Sequence, residues 1–290
     1  KSKFSIHSII KIKSYLGGMF VITILSVMVS QIDKIILSKI LTLESFAYYM
    51  LAFTVALSLS RISTPIIQVY WAQFSSSIKD NQINELKEKF SQCFELLCNT
   101  ILPFAVVIFI FSEPLLLLWT NDHNLTLNTS TLLTILILAT SFSSLALPAL
   151  TVLYVKGGYL GYVIKVNFFC FIFIGLSLLI FTPIYGSLAA ANLILLYGTS
   201  IFFIFNFKVL SILAIQNPIN FILHKLLSPI LISLSISSFF CLIVFSLTDR
   251  LLIFLCFILI ILCNSIAILI LNKGYRDTLL NSKYILKFRT

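Results

Sequence analysis

Polar and charged positions along the 290 residues fall in short clusters that separate long apolar runs. Eight of these runs, near residues 15–32, 46–74, 93–111, 130–154, 160–181, 186–207, 228–247 and 251–271, approach or exceed membrane-spanning length. A helix rising 1.5 Å per residue needs about 20 residues to cross about 30 Å of hydrocarbon. The pattern predicts an all-α fold, a polytopic transmembrane bundle of about eight helices. Between the second and third runs, Ile78, Ile83, Leu86, Phe90 and Phe94 recur at near-helical intervals against Asp80, Glu85, Lys87, Glu88 and Lys89. This stretch, 77–94, is expected to form an amphipathic helix at the membrane surface that merges into the next span. Pro65, Pro103, Pro148 and Pro229 interrupt the apolar runs and are expected to kink their helices, with the first three as candidate hinges.

Composition supports the membrane assignment. The chain is 59% hydrophobic and 10% charged, with a mean hydropathy of +1.07, far from the one-quarter charged makeup of soluble domains. A net charge of +10 would suit a nucleic-acid partner only if the cations shared one soluble face. Here they sit between spans, and the charge reads as topological. Counting Lys and Arg in alternate loops places 15 on one side and 3 on the other, with Arg61 and Lys165 inside spans. By the excess of positive charge on the cytoplasmic side, both ends of the chain are expected there.

The chemistry of a soluble enzyme is missing. His7, His123 and His224 fall in three separate loops, and the six cysteines lie in or beside apolar runs without CxxC spacing. Neither set has the spacing of a metal site. The chain lacks GxSxG, HExxH, GxxxxGK[ST] and GxGxxG, so it is read as a protein without catalytic residues, metal or cofactor. Two N-x-[ST] matches, at Asn124 and Asn128, are short enough to arise by chance and are assigned no role. The chain opens on Lys-Ser-Lys-Phe rather than Met, and it is read as the later part of a longer protein.

The second run carries the informative polar residues. At helical steps of three and four, Thr54, Ser58, Arg61, Thr64 and Gln68 share one stripe, with Pro65 beside it. A charge at mid-bilayer costs roughly 2.5–3.5 kcal/mol on insertion scales, so such a stripe is expected to face protein or water. Arg61 could pair with a buried acid and lock the bundle. Few acids are available at that depth, since Asp33 and Glu113 fall near outer ends and Glu95 near an inner one. The alternative is an anion site, because a planar guanidinium matches phosphate oxygens in two-point contact. Lys165, a turn or two inside its span, either snorkels to the interface or joins Asn167 at the same cavity.

The segments "QIDKIILSKILTLESFAYYMLA" (31–52), "RISTPIIQVYWAQFSS" (61–76), "LPFAVVIFIFSEPLLLLWTND" (102–122) and "TPIYGSLAAANLILLYG" (182–198) carry a family likeness. In this order the chain resembles the Wzx-like O-antigen and polysaccharide flippases of the MOP exporter superfamily, whose members also include the MATE-type antiporters. The likeness covers roughly residues 15 to 207, and Ala47 stands where the family usually has glycine before Y-x-x-A. It implies a C-terminal lobe of six helices, residues 1–207, and two additional helices with a basic tail, residues 208–290, whose role it leaves open. It further implies a multi-pass protein of the bacterial inner membrane. The substrate would be an undecaprenyl-pyrophosphate-linked oligosaccharide, flipped outward for O-antigen or capsular polysaccharide synthesis. Substrate contacts are expected from Arg61, Lys165, Gln68, Ser58 and Asn167, in an alternating-access cycle. Membrane lipids, a polysaccharide polymerase and a chain-length regulator are the expected partners. A multidrug cation antiporter is the alternative, disfavoured because no carboxylate sits mid-span. A lipid II flippase and a non-transporting scaffold are further ones.

Overall fold

The computed structural model describes residues 6–80, 82–246, 250–272 and 276. Most of the basic tail and the first five residues lie outside these. The helices are α1 (Ile6–Ile40), α2 (Leu43–Lys79), α3 (Ile83–Ile110), α4 (Ser112–Thr120), α5 (His123–Leu145), α6 (Leu147–Lys156), α7 (Leu160–Ile212), α8 (Pro218–Ser246) and α9 (Arg250–Leu271). The described chain is an all-α bundle, and seven of its helical stretches are long and apolar enough to cross a membrane.

One of those seven stretches, Leu160–Ile212, is long enough for two crossings. Residues 160–212 stay helical except at Gly186, whose φ of 65° and ψ of −147° are not helical. A straight helix would hold Tyr162 and Phe205 about 65 Å apart at 1.5 Å per residue, yet their ring centroids are 6.4 Å apart. The chain therefore folds back at Gly186 into two antiparallel arms, matching the expected spans 160–181 and 186–207. Such dihedrals are available almost only to glycine, which has no Cβ to clash.

Punctuation elsewhere follows from local chemistry. Thr42 caps α2, its hydroxyl accepting from the Ser45 N–H at 3.3 Å, with Glu44 in the first turn, where a negative charge suits the helix dipole. Between α4 and α5, Asn121 adopts a left-handed φ of 56° that ends α4, and the Asp122 carboxylate accepts from the Leu125 N–H at 3.1 Å to start α5. The "WTND" segment is thus a helix stop followed by a helix start. The expected run 130–154 is broken at Ala146 into α5 and α6, with Pro148 in the first turn of α6, where a missing N–H costs little. Pro65, Pro103 and Pro229 lie inside helices that continue past them.

The 77–94 segment is not a separate surface helix. Instead α2 runs to Lys79 and α3 starts at Ile83, so the amphipathic residues are the ends of two long helices. Leu86, Phe90 and Phe94 are buried, which explains their spacing: this face of α3 packs against protein. α3 and α5 form the centre, with α2, α7 and α8 around them. Stacked and edge-on rings join these layers, Phe94 to Phe202, Phe90 to Phe221, and Phe142 to Phe202. The outer faces of α7, α8 and α9 expose Phe169, Phe173, Phe239, Leu242 and Leu251, as a lipid-facing surface should.

The last two helices, α8 and α9, pack on α3. Lys225 of α8 pairs with Glu95 of α3, and Asn272, after α9, donates to the Asn99 side chain at 3.1 Å. Val107, Phe111, Val244, Ile253, Phe257 and Ile260 form a second apolar cluster there.

Candidate functional site

The site is built on α1 and α2, which are tied together at one end. Asp33, 1% exposed on α1, accepts a hydrogen bond from the Tyr49 hydroxyl of α2 at 2.6 Å. Lys34 lies 3.3 Å from the same carboxylate and 3.9 Å from the centre of the Phe53 ring. A carboxylate removed from water needs such partners. Here they are a phenol and a neighbouring ammonium. The D-K element of α1 and the Y-x-x-A element of α2 are therefore two halves of one contact, with Ala52 buried a turn further along.

Beyond this tie α1 follows α7, whereas α2 follows α5, α3 and α6. Trp71 of α2 meets Tyr154 of α6 with ring centroids 6.2 Å apart. Tyr154 also lines an open groove of about 310 Å³ along α1, walled by Met19, Ile22, Thr23, Ser26, Val27 and Ser30. The groove has hydroxyls on one helix and an aromatic platform at its far wall.

Arg61 sits at the midpoint of α2, about 27 Å from either end at 1.5 Å per residue. Its side chain is exposed, as are those of Thr54, Ser58, Thr64 and Gln68, so the expected polar stripe points out of the bundle along one face. The opposite face buries Tyr49, Ala52, Ala56, Leu59, Ser63 and Tyr70. Among the described residues Arg61 makes no ion pair. Three acids are committed elsewhere: Asp33 to Tyr49 and Lys34, Glu95 to Lys225, and Glu44 to the Tyr48 hydroxyl at 2.5 Å.

The remaining site residues are not gathered around Arg61. Ser58 and Gln68 share its face. Lys165 is exposed on α7 and Asn167 is buried, because two residues along a helix turn the side chain by about 200°, so these two do not share a face. Lys165 lies one to two turns from the start of α7 at Leu160. Arg61 lies about 15 Å along α2 from Trp71, whose ring marks the level of Tyr154 near that same end of the bundle. The two cations therefore occupy different depths.

Sequence reasoning missed the Asp33–Tyr49 bond. Its available signal was an acid near the end of one span followed by a tyrosine one turn into the next. No group of three or more His, Cys, Asp or Glu side chains with metal-binding geometry occurs among the described residues.

Residues 1–123 match the model of a family described as polysaccharide biosynthesis protein. The match spans α1 to α4 and so includes Asp33, Tyr49 and the whole Arg61 stripe. No curated protein matches the chain.

Proposed function

We propose that this chain belongs to a flippase for a lipid-linked oligosaccharide, in which the Arg61 guanidinium receives the diphosphate that joins glycan to lipid. The similarity of residues 1–123 to a polysaccharide biosynthesis family supports the substrate class. The carrying observation is Arg61 itself, exposed at the centre of a membrane-spanning helix within a stripe of Ser, Thr and Gln and without a carboxylate partner among the described residues. An unpaired cation at that depth is costly, and a mobile anion offsets the desolvation of both groups. Guanidinium and diphosphate meet through parallel N–H···O contacts.

In this reading the polyisoprenoid tail stays in the lipid while the charged head passes along the α2 face. Ser58, Thr64 and Gln68 then supply hydrogen bonds to the sugar hydroxyls. Lys165 acts at a different level, toward the end of the bundle where α7 begins, and first attracts the anion there. The protein is a carrier rather than an enzyme and works in the bacterial inner membrane, beside the polymerase that consumes its product. The substrate carrier is undecaprenyl pyrophosphate.

The test is flipping of a fluorescent undecaprenyl-pyrophosphate oligosaccharide in liposomes reconstituted with the natural full-length protein. Arg61→Ala is expected to reduce the rate by at least tenfold, and Arg61→Lys to recover only part of it, since an ammonium lacks the two-point geometry. Equal rates in wild type and both variants would remove Arg61 from the mechanism.

A further inference from the structure

A second basic site lies where α6 gives way to α7. Lys156 ends α6 and Lys208 lies in the returning arm of α7, and the hairpin brings both to the ring of Tyr159. The Lys156 ammonium is 5.7 Å from the centre of the Tyr159 ring. The Lys208 ammonium is 5.5 Å from the same ring and 5.5 Å from the Tyr162 ring. All four side chains are half-buried. Among the described residues neither lysine has a carboxylate partner, whereas Lys225 is paired with Glu95 and Lys34 with Asp33.

We propose that Lys156 and Lys208, held on the rings of Tyr159 and Tyr162, form a phosphate-binding site at the membrane–water boundary that takes the phosphodiester of an anionic lipid headgroup. Two like charges brought to one ring repel each other, and an anion between them relieves that repulsion. The rings orient the ammonium groups by cation–π attraction but leave their N–H donors unsatisfied. Tyrosines are at home at headgroup level, with the apolar ring in lipid and the hydroxyl in water. α7 also starts here with no side-chain cap, and the positive end of its dipole adds to the local potential. Basic pockets between spans are a known physical solution for holding lipid phosphates. The site shares with Lys165 the end of the bundle where α7 begins, but it uses neither Lys165 nor any residue of the α2 stripe. Its test is therefore a binding measurement, independent of flipping.

The measurement is native mass spectrometry of the chain in neutral detergent, titrated separately with dioleoylphosphatidylglycerol, dioleoylphosphatidylcholine and inorganic phosphate. Tight, saturable uptake of one phosphatidylglycerol, with little phosphatidylcholine, is expected. Lys156→Gln with Lys208→Gln should weaken it on the order of 25-fold, about fivefold for each lysine, while Lys79→Gln with Lys87→Gln should leave it unchanged. Equally tight uptake of inorganic phosphate, lost in the same double variant, keeps the site but assigns it to a soluble phosphate. Unchanged phosphatidylglycerol binding in the double variant overturns the proposal, as does equal affinity for the two lipids. Should the variant not fold, wild type alone decides: the preference for phosphatidylglycerol must fade between 0.05 and 0.5 M salt as charges are screened, and a salt-independent preference overturns the proposal.

Discussion

Gly198 is the position where the smallest substitution should do the most damage. It sits in the returning arm of α7, buried against α5, and a Cβ added there would lie 2.5 Å from the Ala139 carbonyl oxygen and 3.0 Å from the Ser143 hydroxyl. The oxygen belongs to the backbone of α5, which cannot swing aside, and it already accepts the Ser143 hydroxyl at 2.9 Å. Ordinary contact requires the two helices to separate by roughly 0.5–1 Å, and overpacking of this kind costs about 1–3 kcal/mol. Separation also loosens the ring contacts of Phe202, one turn away, with Phe94 and Phe142. Against this, alanine improves helix propensity by about 0.8–1 kcal/mol. The net expectation for Gly198→Ala is a loss of up to about 2 kcal/mol, with the loosened ring contacts moving it toward the upper end. Gly161→Ala is the internal control, because nothing lies within 4 Å of its added Cβ. That variant should gain a few tenths of a kcal/mol to about 1 kcal/mol. Thermal unfolding in micelles, followed by near-ultraviolet circular dichroism, should give midpoints in the order Gly161→Ala, wild type, Gly198→Ala. A Gly198→Ala midpoint at or above wild type would refute close helix approach as the reason for this glycine.

Other expectations follow from single contacts. Gly186→Ala should lower the same midpoint, because its φ of 65° and ψ of −147° cost a side chain of order 1–3 kcal/mol; an unchanged midpoint contradicts the turn described. Tyr49→Phe removes the hydroxyl that Asp33 accepts and should cost about 1.5–3 kcal/mol, as for a hydrogen bond to a charged group. Adding Asp33→Asn to that variant should cost less than Asp33→Asn does in wild type, and strict additivity in the cycle would deny the coupling. Glu95→Gln and Lys225→Gln should each destabilise by close to the lower end of the ~3–5 kcal/mol seen when one partner of a buried pair is removed, since Lys225 keeps 21% exposure. The charge-reversed pair Glu95→Lys with Lys225→Glu should be more stable than either single reversal if the pair docks α8 on α3.

Much of the fold was legible because lipid imposes one rule on every span: long, apolar and helical. Eight runs were visible as such, including the division near 181–186, where Pro183 and Gly186 interrupt an otherwise unbroken run. The polar stripe of α2 was legible because helical periodicity alone sorts Thr54, Ser58, Arg61, Thr64 and Gln68 onto one face. The same periodicity separates Lys165 from Asn167, two positions apart, and their pairing at one cavity overlooked it. What stayed hidden were contacts between residues far apart in sequence. Lys225 looked like one more loop cation, and only folding shows Glu95, 130 positions away, beside it. The amphipathic 77–94 stretch shows a different ambiguity. A face of Leu86, Phe90 and Phe94 fits a membrane surface as well as a protein core, and sequence does not say which.

The packing also decides which way the polar stripe of α2 faces. Tertiary contacts set the rotation of α2: Ala52, Ala56 and Leu59 are buried in a helix that packs mainly on α5 and α3, so Arg61 is turned outward whatever that costs. The first arm of α7, which packs on α1, presents Phe169 and Phe173, and α8 and α9 present Leu242 and Leu251, surfaces suited to acyl chains. A bundle bathed in lipid on all sides would carry the penalty of a charged residue at mid-depth, roughly 2.5–3.5 kcal/mol, together with several exposed hydroxyls and an amide. That penalty disappears if the α1–α2 side borders water or another polar protein surface. The groove on α1 carries Thr23, Ser26 and Ser30 in its wall, but Thr23 and Ser30 donate to carbonyls of their own helix at 2.9 Å, so those hydroxyls are satisfied in lipid as well as in water. The outward turn of Arg61 is therefore a consequence of helix rotation, and the α2 residues that set it, Ala52, Ala56 and Leu59, fall within the 1–123 match to a polysaccharide biosynthesis family.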